Sequence, residues 1–473
     1  MWGARVRRLS ALWIAGATLS CHAANAPPPD EVVEDTDKVD TDPAPDTDVK
    51  RPPNVLLVVM DDVGVDAVST YGVQPTAPST PTLDRLAAEG VRFEHAWAMP
   101  VCTPTRAALL TGRMPRRTGI GTGVGPFDRK GGLPLSEVTI AEMLRAAPIP
   151  YATTAIGKWH LSTTDVGGLD APNLQGFDHY RGAIANLLPA QTTDGSNQDY
   201  FRWQETQDGV TAWRTGYATE AEVDDALAAV HTMPEPWFLY MAFHAAHAPY
   251  QPPHTMTGVG QDPPTQFEAT VRALDTELGR LLDGLGEARL ANTIVVVLGD
   301  NGTPPVAERP PFDADPSKFT IFEGGVHVPL LVRWPGVAKA GGVSDALIHV
   351  TDVFPTVARA AGVPEETWPV LDGVDLAPAL REPATGVAHP LLFTEEFNPN
   401  GVSALRLGDQ VAVRDERYKL IRYVGLGDAL FDMRGLVVEG DPIEVVAGSP
   451  EEAEQAKLTA GLDAILATMP PQP

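Results

Sequence analysis

Cysteine is nearly absent from this chain: 473 residues contain two, Cys21 and Cys102. Two thiols cannot form a disulfide framework. A chain of this length can bury enough apolar surface to need neither disulfides nor a structural zinc. Positive charge is also scarce. Lys and Arg number 35 against 62 Asp and Glu, a formal net charge of −27. That excludes the basic face a nucleic-acid binder needs and fits a protein that is exported or that holds cations. Long apolar runs are missing, so no segment reads as spanning a membrane. What remains is an ordinary globular composition, 43% hydrophobic and 21% charged. It suits one large α/β domain with a smaller one attached.

The N-terminus reads as an address. Arg5, Arg7 and Arg8 precede an uncharged stretch over residues 9–20, so residues 1–20 form a signal peptide and the chain is exported. Thr18-Leu19-Ser20-Cys21 resembles a bacterial lipobox, with Thr18 where Leu is usual. That makes Cys21 an acylated N-terminus and anchors the protein by lipid in the periplasm or at the cell surface. Ordinary cleavage near Ala23 or Ala24 would give secretion instead. Residues 21–53 are acidic and proline-rich and repeat Asp-Thr-Asp. Like charges repel, proline blocks helix and little is available to bury, so this is a solvated, extended tether.

The globular part begins at Asn54. Residues 55–60 form a continuous apolar, β-branched run that ends in Asp61-Asp62. Such runs fit strands covered on both faces. Residues 294–298 form a second and end in Gly299-Asp300-Asn301-Gly302. Residues 237–243 form a third and lead to His244 and His247; residues 153–156 form a fourth and lead to Gly157-Lys158-Trp159-His160. Helical patterns over residues 82–90, 218–230 and 267–285 alternate with them. The reading is an α/β fold with a doubly wound sheet. In open α/β sheets ligands bind at the carboxyl ends of the strands. Topology alone thus brings Asp61, Asp62, Lys158, His160, His247, Asp300 and Asn301 to one rim.

Taken singly, each piece is ambiguous. Two acids after a strand are commonplace, and Asn-Gly is first a turn signal. Together they supply three carboxylates and an amide, hard oxygen ligands suited to Ca²⁺ or Mg²⁺ rather than zinc. His247 competes with His244. Lys158 and His160, two apart, point to the same side of an extended segment. Cys102-Thr103-Pro104-Thr105-Arg106 is the sharpest feature. Pro104 suits a first helical turn with Thr103 as its N-cap. Cys102 then lies at a helix N-terminus with Arg106 four residues on, on the same side. A buried free thiol and a thiol nucleophile both fit, although no protease signature surrounds it.

With these residues in place, the chain resembles the formylglycine-dependent sulfatases, arylsulfatase-like members of the alkaline phosphatase superfamily. Cys102-Thr-Pro-Thr-Arg106 with Leu110-Thr-Gly-Arg113 resembles the C-x-P-x-R signature and its L-T-G-R extension, with Thr105 where Ser is commonest. Gly157-Lys-Trp-His160 resembles the G-K-W-H motif. His247-Ala-Pro249 resembles H-x-P, which favours His247 over His244. Gly299-Asp-Asn-Gly302 resembles the second metal motif. Lys318 stands five residues before Glu323-Gly-Gly325, where the family usually reads E-G-G-V-R and this chain has His327.

The resemblance implies a mostly parallel sheet flanked by helices in a catalytic domain over residues 54–387. A smaller C-terminal antiparallel-sheet domain follows over residues 388–473. It implies that a formylglycine-generating maturation enzyme converts Cys102 to an aldehyde whose hydrate attacks sulfur. One divalent cation, Ca²⁺ or alternatively Mg²⁺, would be held by Asp61, Asp62, residue 102, Asp300 and Asn301. Lys158, Lys318, Arg106 and His247 would draw charge from sulfate. His247 would protonate the leaving oxygen, and His160 would help release sulfate. The substrate would be a sulfated small molecule or glycan. A phosphonate monoester or phosphodiester hydrolase of the same superfamily is the neighbouring reading; Asn301 and Lys318 lean towards sulfate. A non-catalytic sulfated-glycan-binding lipoprotein is the other, but such a chain is expected to lose site residues and here they are all present. Residues 163–215 read as a specificity loop, in which Tyr180, Tyr200 and Trp203 either stack on a substrate ring or pack in the core.

Overall fold

The computed structural model describes residues 51–469 except 126, 190, 311, 313–315, 387 and 402–404. The signal peptide, Cys21 and the tether up to residue 50 lie outside them. No helix among the described residues is long and apolar enough to cross a membrane.

Strand β1 (Asn54–Met60) is buried along its whole length. Val55, Leu57 and Val59 face one core, and Leu56, Val58 and Met60 face a second. A strand covered on both faces has no polar side, which is why its sequence is unbroken apolar. Each such side chain contributes about 1.5–3 kcal/mol by leaving water. Nine more strands complete the large sheet. They are β2 (Val91–Trp97), β3 (Ala152–Gly157), β4 (His179–Gly182), β5 (Arg202–Gln207), β6 (Val210–Thr215), β7 (Trp237–Ala242), β8 (Thr293–Gly299), β9 (Leu330–Arg333) and β10 (Gly342–His349). Their order is β10-β2-β9-β8-β1-β7-β3-β4-β5-β6. β8, β1, β7, β3 and β4 run parallel, whereas β9 and β5 are antiparallel to their neighbours. The sheet is therefore mostly parallel, with helices on both faces. The helix Cys102–Thr111 packs in the first core; Ala218–Thr232 and Pro263–Leu290 pack in the second.

Two expectations change. Residues 163–215 are not a loop: β4, β5 and β6 extend the sheet edge. Arg-Trp-Gln-Glu-Thr-Gln in β5 carries too few apolar residues to read as a strand, because the hairpin is largely solvated. Tyr180, Tyr200 and Trp203 are all buried and belong to the packing. Secondly, the helix starts at Cys102 itself after the extended Val101, so Thr103 is inside it and makes no cap.

A second sheet of β11 (Leu392–Glu396), β12 (Gln410–Arg414), β13 (Tyr418–Tyr423) and β14 (Gly427–Asp432) is antiparallel throughout. It packs through Leu392, Ala412 and Ile421 on Trp97, Ile321 and Val326. At its inner edge, Arg116 donates its backbone N–H and Nε–H to buried Glu395, at 2.7 and 2.8 Å. Burial outweighs the guanidinium and pushes the Glu395 carboxyl from 4.5 up to about 7.

A carboxyl whose pKa rises on folding binds its proton more tightly in the folded chain. Its stabilising contribution is complete below the unfolded pKa and is lost as pH rises through the folded one. Relative to Glu395→Gln, the wild type is expected to lose about 3 kcal/mol between roughly pH 4.5 and 7. Denaturant melts at stepped pH read this directly; parallel profiles for the two proteins would contradict it.

Candidate active site

The parallel strands point their carboxyl ends at one rim. β1 ends at Asp61-Asp62, β3 leads to Lys158 and His160, β7 to His247, and β8 to Asp300-Asn301. The N-terminus of the helix Cys102–Thr111 and the segment bearing Lys318 close on the same place. Gly302 makes the last approach feasible: a Cβ there would lie 1.8 Å from the Gly324 carbonyl. Lys318 N–H also donates to the Thr303 carbonyl at 3.2 Å.

Asp62 and His160 take left-handed backbone conformations, φ 62° and 58°. Non-glycine residues adopt these at a cost of order 1–3 kcal/mol, and such costs concentrate at functional sites. The turn at His160 corrects the extended reading of residues 158–160. Lys158 Nζ reaches Asp61 Oδ2 at 2.5 Å, while His160 Nδ1 lies 3.2 Å from Cys102 Sγ. His160 Nε2 donates to the Val124 carbonyl at 2.8 Å, which leaves Nδ1 as the acceptor for the side chain of residue 102.

Three buried carboxylates meet three buried bases. Besides Lys158 on Asp61, Arg106 donates Nε–H and an Nη2–H to Asp300 Oδ2 at 2.9 and 2.7 Å. Lys318 Nζ donates to Asp62 Oδ1. Arg106 also donates to the Lys158 carbonyl at 3.0 Å. Burial alone would raise Asp62, but Lys318, His247 and Lys158 together hold it below the usual carboxylate range. Asp300 goes the other way: burial and neighbouring Asp61 push it up to about 6 despite Arg106. Burial lowers His160 well below its ordinary value, with Lys158 and Arg106 adding to the effect. His247 falls to about 3 by burial, against the pull of Asp62. Burial raises the Cys102 thiol, so as a cysteine this side chain is a protonated, poor nucleophile.

The oxygen donors fit a hard divalent cation. Asp61 Oδ1 and Asn301 Oδ1 are buried and have no hydrogen-bond partner. Single ligand atoms of Asp61, Cys102 and Asp300 lie within 4.8 Å of one another. Asn301 Nδ2 donates to Asp62 Oδ1 at 2.9 Å and to the Gly302 carbonyl at 3.0 Å, which holds the amide in place and leaves its oxygen unused. Orphaned acceptors among crowded carboxylates are costly, and a cation relieves both problems.

Above the acids opens a cavity of about 650 Å³, lined by Asp62, Cys102, His160, His247, Lys318 and, from β11, Glu396. Lys158 and Arg106 are buried beneath its floor. His247 Nδ1 donates to the Ala248 carbonyl at 2.8 Å, and its Nε2 lies 3.9 Å from Asp62 Oδ2. His244 is turned away and pairs with Glu222 at 2.5 Å. His327 lies outside the cleft and donates to the Glu94 carbonyl at 2.7 Å.

Several contributors were silent in the sequence. Tyr200 OH bonds to the His244 and His247 carbonyls, at 2.6 and 2.8 Å, and so fixes that turn. The Val124 carbonyl sets the His160 tautomer. Glu396 enters from the second sheet. None of these carries a local motif, because each acts through a contact distant in sequence.

A family model described as Sulfatase matches residues 53–363, and one described as N-sulphoglucosamine sulphohydrolase, C-terminal, matches residues 315–469. Arylsulfatase A of Homo sapiens is 35% identical over 388 residues, 76% of this chain and 74% of that protein. N-acetylgalactosamine-6-sulfatase of Sus scrofa is 34% identical over 362 residues, 71% of this chain and 67% of that protein. Among solved structures, Ps i-CgsB in complex with k-i-k-neocarrahexaose is similar with a TM-score of 0.73 at 26% identity. That match covers 88% of this chain and 92% of the other.

Calcium in excess of its dissociation constant is expected to raise the melting temperature by several degrees, because only the folded chain gathers these oxygens. Asp300→Asn should abolish that rise while keeping the cooperative transition. An equal rise in the variant would remove Asp300 from the ligand set.

Proposed function

Because the chain belongs to the sulfatase family, we propose that its cleft hydrolyses sulfate esters of a small molecule or glycan and releases inorganic sulfate. The observation that carries this reading is the set of three buried acid–base pairs with two orphaned oxygens beneath Cys102. The acids and bases balance in number, so a divalent cation among them gives the floor a positive charge to meet an anionic ester.

Asp61, Asp62, Asp300 and Asn301, with residue 102, would hold Ca²⁺ or Mg²⁺. When bound, the cation would draw charge from the sulfate, and a formylglycine made from Cys102 would supply the attacking oxygen. Lys158 and Arg106 keep Asp61 and Asp300 oriented from below. Lys318 and His247 line the cavity; Lys318 donates to the sulfate oxygens, and His247, whose Nε2 takes up a proton when the anionic ester offsets the cost of its burial, passes it to the leaving oxygen. His160 Nδ1 accepts the proton of the residue-102 side chain. Val101, Leu188, Pro304 and Pro305 form an apolar part of the wall; a bound ester covering them would displace water and strengthen each of these interactions.

On the sequence alone, the proposal extends to export, acylation at Cys21, and a division between a catalytic part 54–387 and a smaller part 388–473.

The nucleophile is tested by the mass of tryptic peptide 93–106 from protein made in its native host. An aldehyde at position 102 that reacts with hydrazide is the expected result; an unmodified thiol would remove the chemistry. Lys318→Ala should lower kcat/KM by on the order of 10³-fold. His247→Ala should slow alkyl sulfates by at least about tenfold more than nitrophenyl sulfate, because only a poor leaving group needs the proton. Equal losses on both would deny His247 that role.

A further inference from the structure

The charges lining the cleft are not all committed. Lys318 is paired with Asp62 inside it. Glu396, the last residue of β11, is half-buried in the same wall, and its side chain makes no hydrogen bond or ion pair among the described residues. Its neighbour Glu395 points to the opposite face, as alternation along a strand requires, and is held by Arg116. Glu396 thus lacks the partner that Glu395 has. None of the site cations lowers its carboxyl; burial by itself lifts it to about 7. No ion pair joins it to Lys318 or His247, both of which face Asp62 instead.

The rest of the lining beyond the sulfate is uncharged. Thr122, Asn186, Gln191 and Tyr250 supply its polar side chains. Gln191 is shared with a second chamber of about 220 Å³, walled by hydroxyls and amides such as Ser162, Thr164, Gln198 and Gln204, with no charged side chain among its lining residues. A cleft built for a densely anionic ester would place bases along this path. Among the described lining residues beyond the sulfate end the one charged side chain is an acid, in a chain of formal net charge −27. Long-range repulsion and the local carboxylate act in the same sense.

We propose that Glu396 sets the charge of the accepted substrate: the cleft takes sulfate esters whose leaving group presents an ammonium or hydroxyl donor and rejects those carrying a second anion there. This rests on the sulfate-ester reading above. Discrimination arises from both halves of the contact. A donor gives Glu396 the partner it lacks, and an added anion faces a carboxylate in a site of low dielectric.

The test uses two aryl sulfates of similar leaving-group basicity, para-aminomethylphenyl sulfate and para-carboxymethylphenyl sulfate. The enzyme is the full chain with its formylglycine verified by mass. At about pH 8.5, where Glu396 is ionised and the ammonium probe still largely protonated, the wild type is expected to prefer the ammonium probe by on the order of tenfold in kcat/KM. Glu396→Gln, which keeps the shape, should bring the ratio close to one, and Glu396→Lys should invert it. A purely structural role would change both probes alike. The same ratio in all three proteins, or a wild-type preference for the carboxylate probe, would overturn the proposal while leaving sulfate hydrolysis intact. Release of sulfate from neither probe by the verified wild-type enzyme would instead overturn the sulfatase reading, and this inference with it.

Discussion

Three carboxylates buried side by side at the ends of β1 and β8 are the constraint on which the rest of the structure depends. Taking an ion out of water costs several kcal/mol even after relaxation, and Asp61, Asp62 and Asp300 are all essentially inaccessible. Arg106, Lys158 and Lys318 come from three separate segments to meet them one to one. The helix from Cys102, the turn after β3 and the segment before Glu323 are therefore tied to a single point. The pairing still leaves Asp61 Oδ1 without a hydrogen-bond partner, and the amide oxygen of Asn301 is left so as well.

The second sheet takes part in this arrangement. Glu323 accepts from Arg414 at 2.9 Å and from Lys419 at 3.1 Å, and Trp97 Nε1–H donates to it at 3.2 Å. β12 and β13 thereby hold the glycine turn against which Gly302 packs. His327 Nδ1 lies 3.7 Å from Glu323, and the guanidinium that Glu323 accepts from is that of Arg414 in the second sheet. Beyond β11, Asn400 accepts from the N–H groups of Gly121 and Thr122, both at 2.8 Å. That clasp fixes the loop whose Val124 carbonyl orients His160. Removing the small sheet would loosen Lys318 and His160 together.

How much of this was legible depends on where the physical information resides. The central strands were readable because burial on both faces leaves an unbroken apolar run, as in 55–60 and 294–298. The rim followed, since parallel strands deliver their next residues to one edge. Arg106 was readable because four residues on a helix return to the same side. The edge hairpin β5–β6 was not, because its half-solvated residues dilute the alternation. The His160 conformation was not, because a left-handed residue reverses the side predicted for an extended chain and is imposed by its surroundings.

The sequence by itself determined the sheet's central strands and the acids, bases and histidines at their ends. Each of these depends on local composition and periodicity. Only the tertiary structure decided which oxygens are left without partners, which nitrogen of His160 faces Cys102, that Tyr200 packs and braces rather than stacks, and that Glu396 joins the cleft. Those outcomes depend on contacts between segments tens to hundreds of residues apart, and no local pattern records them.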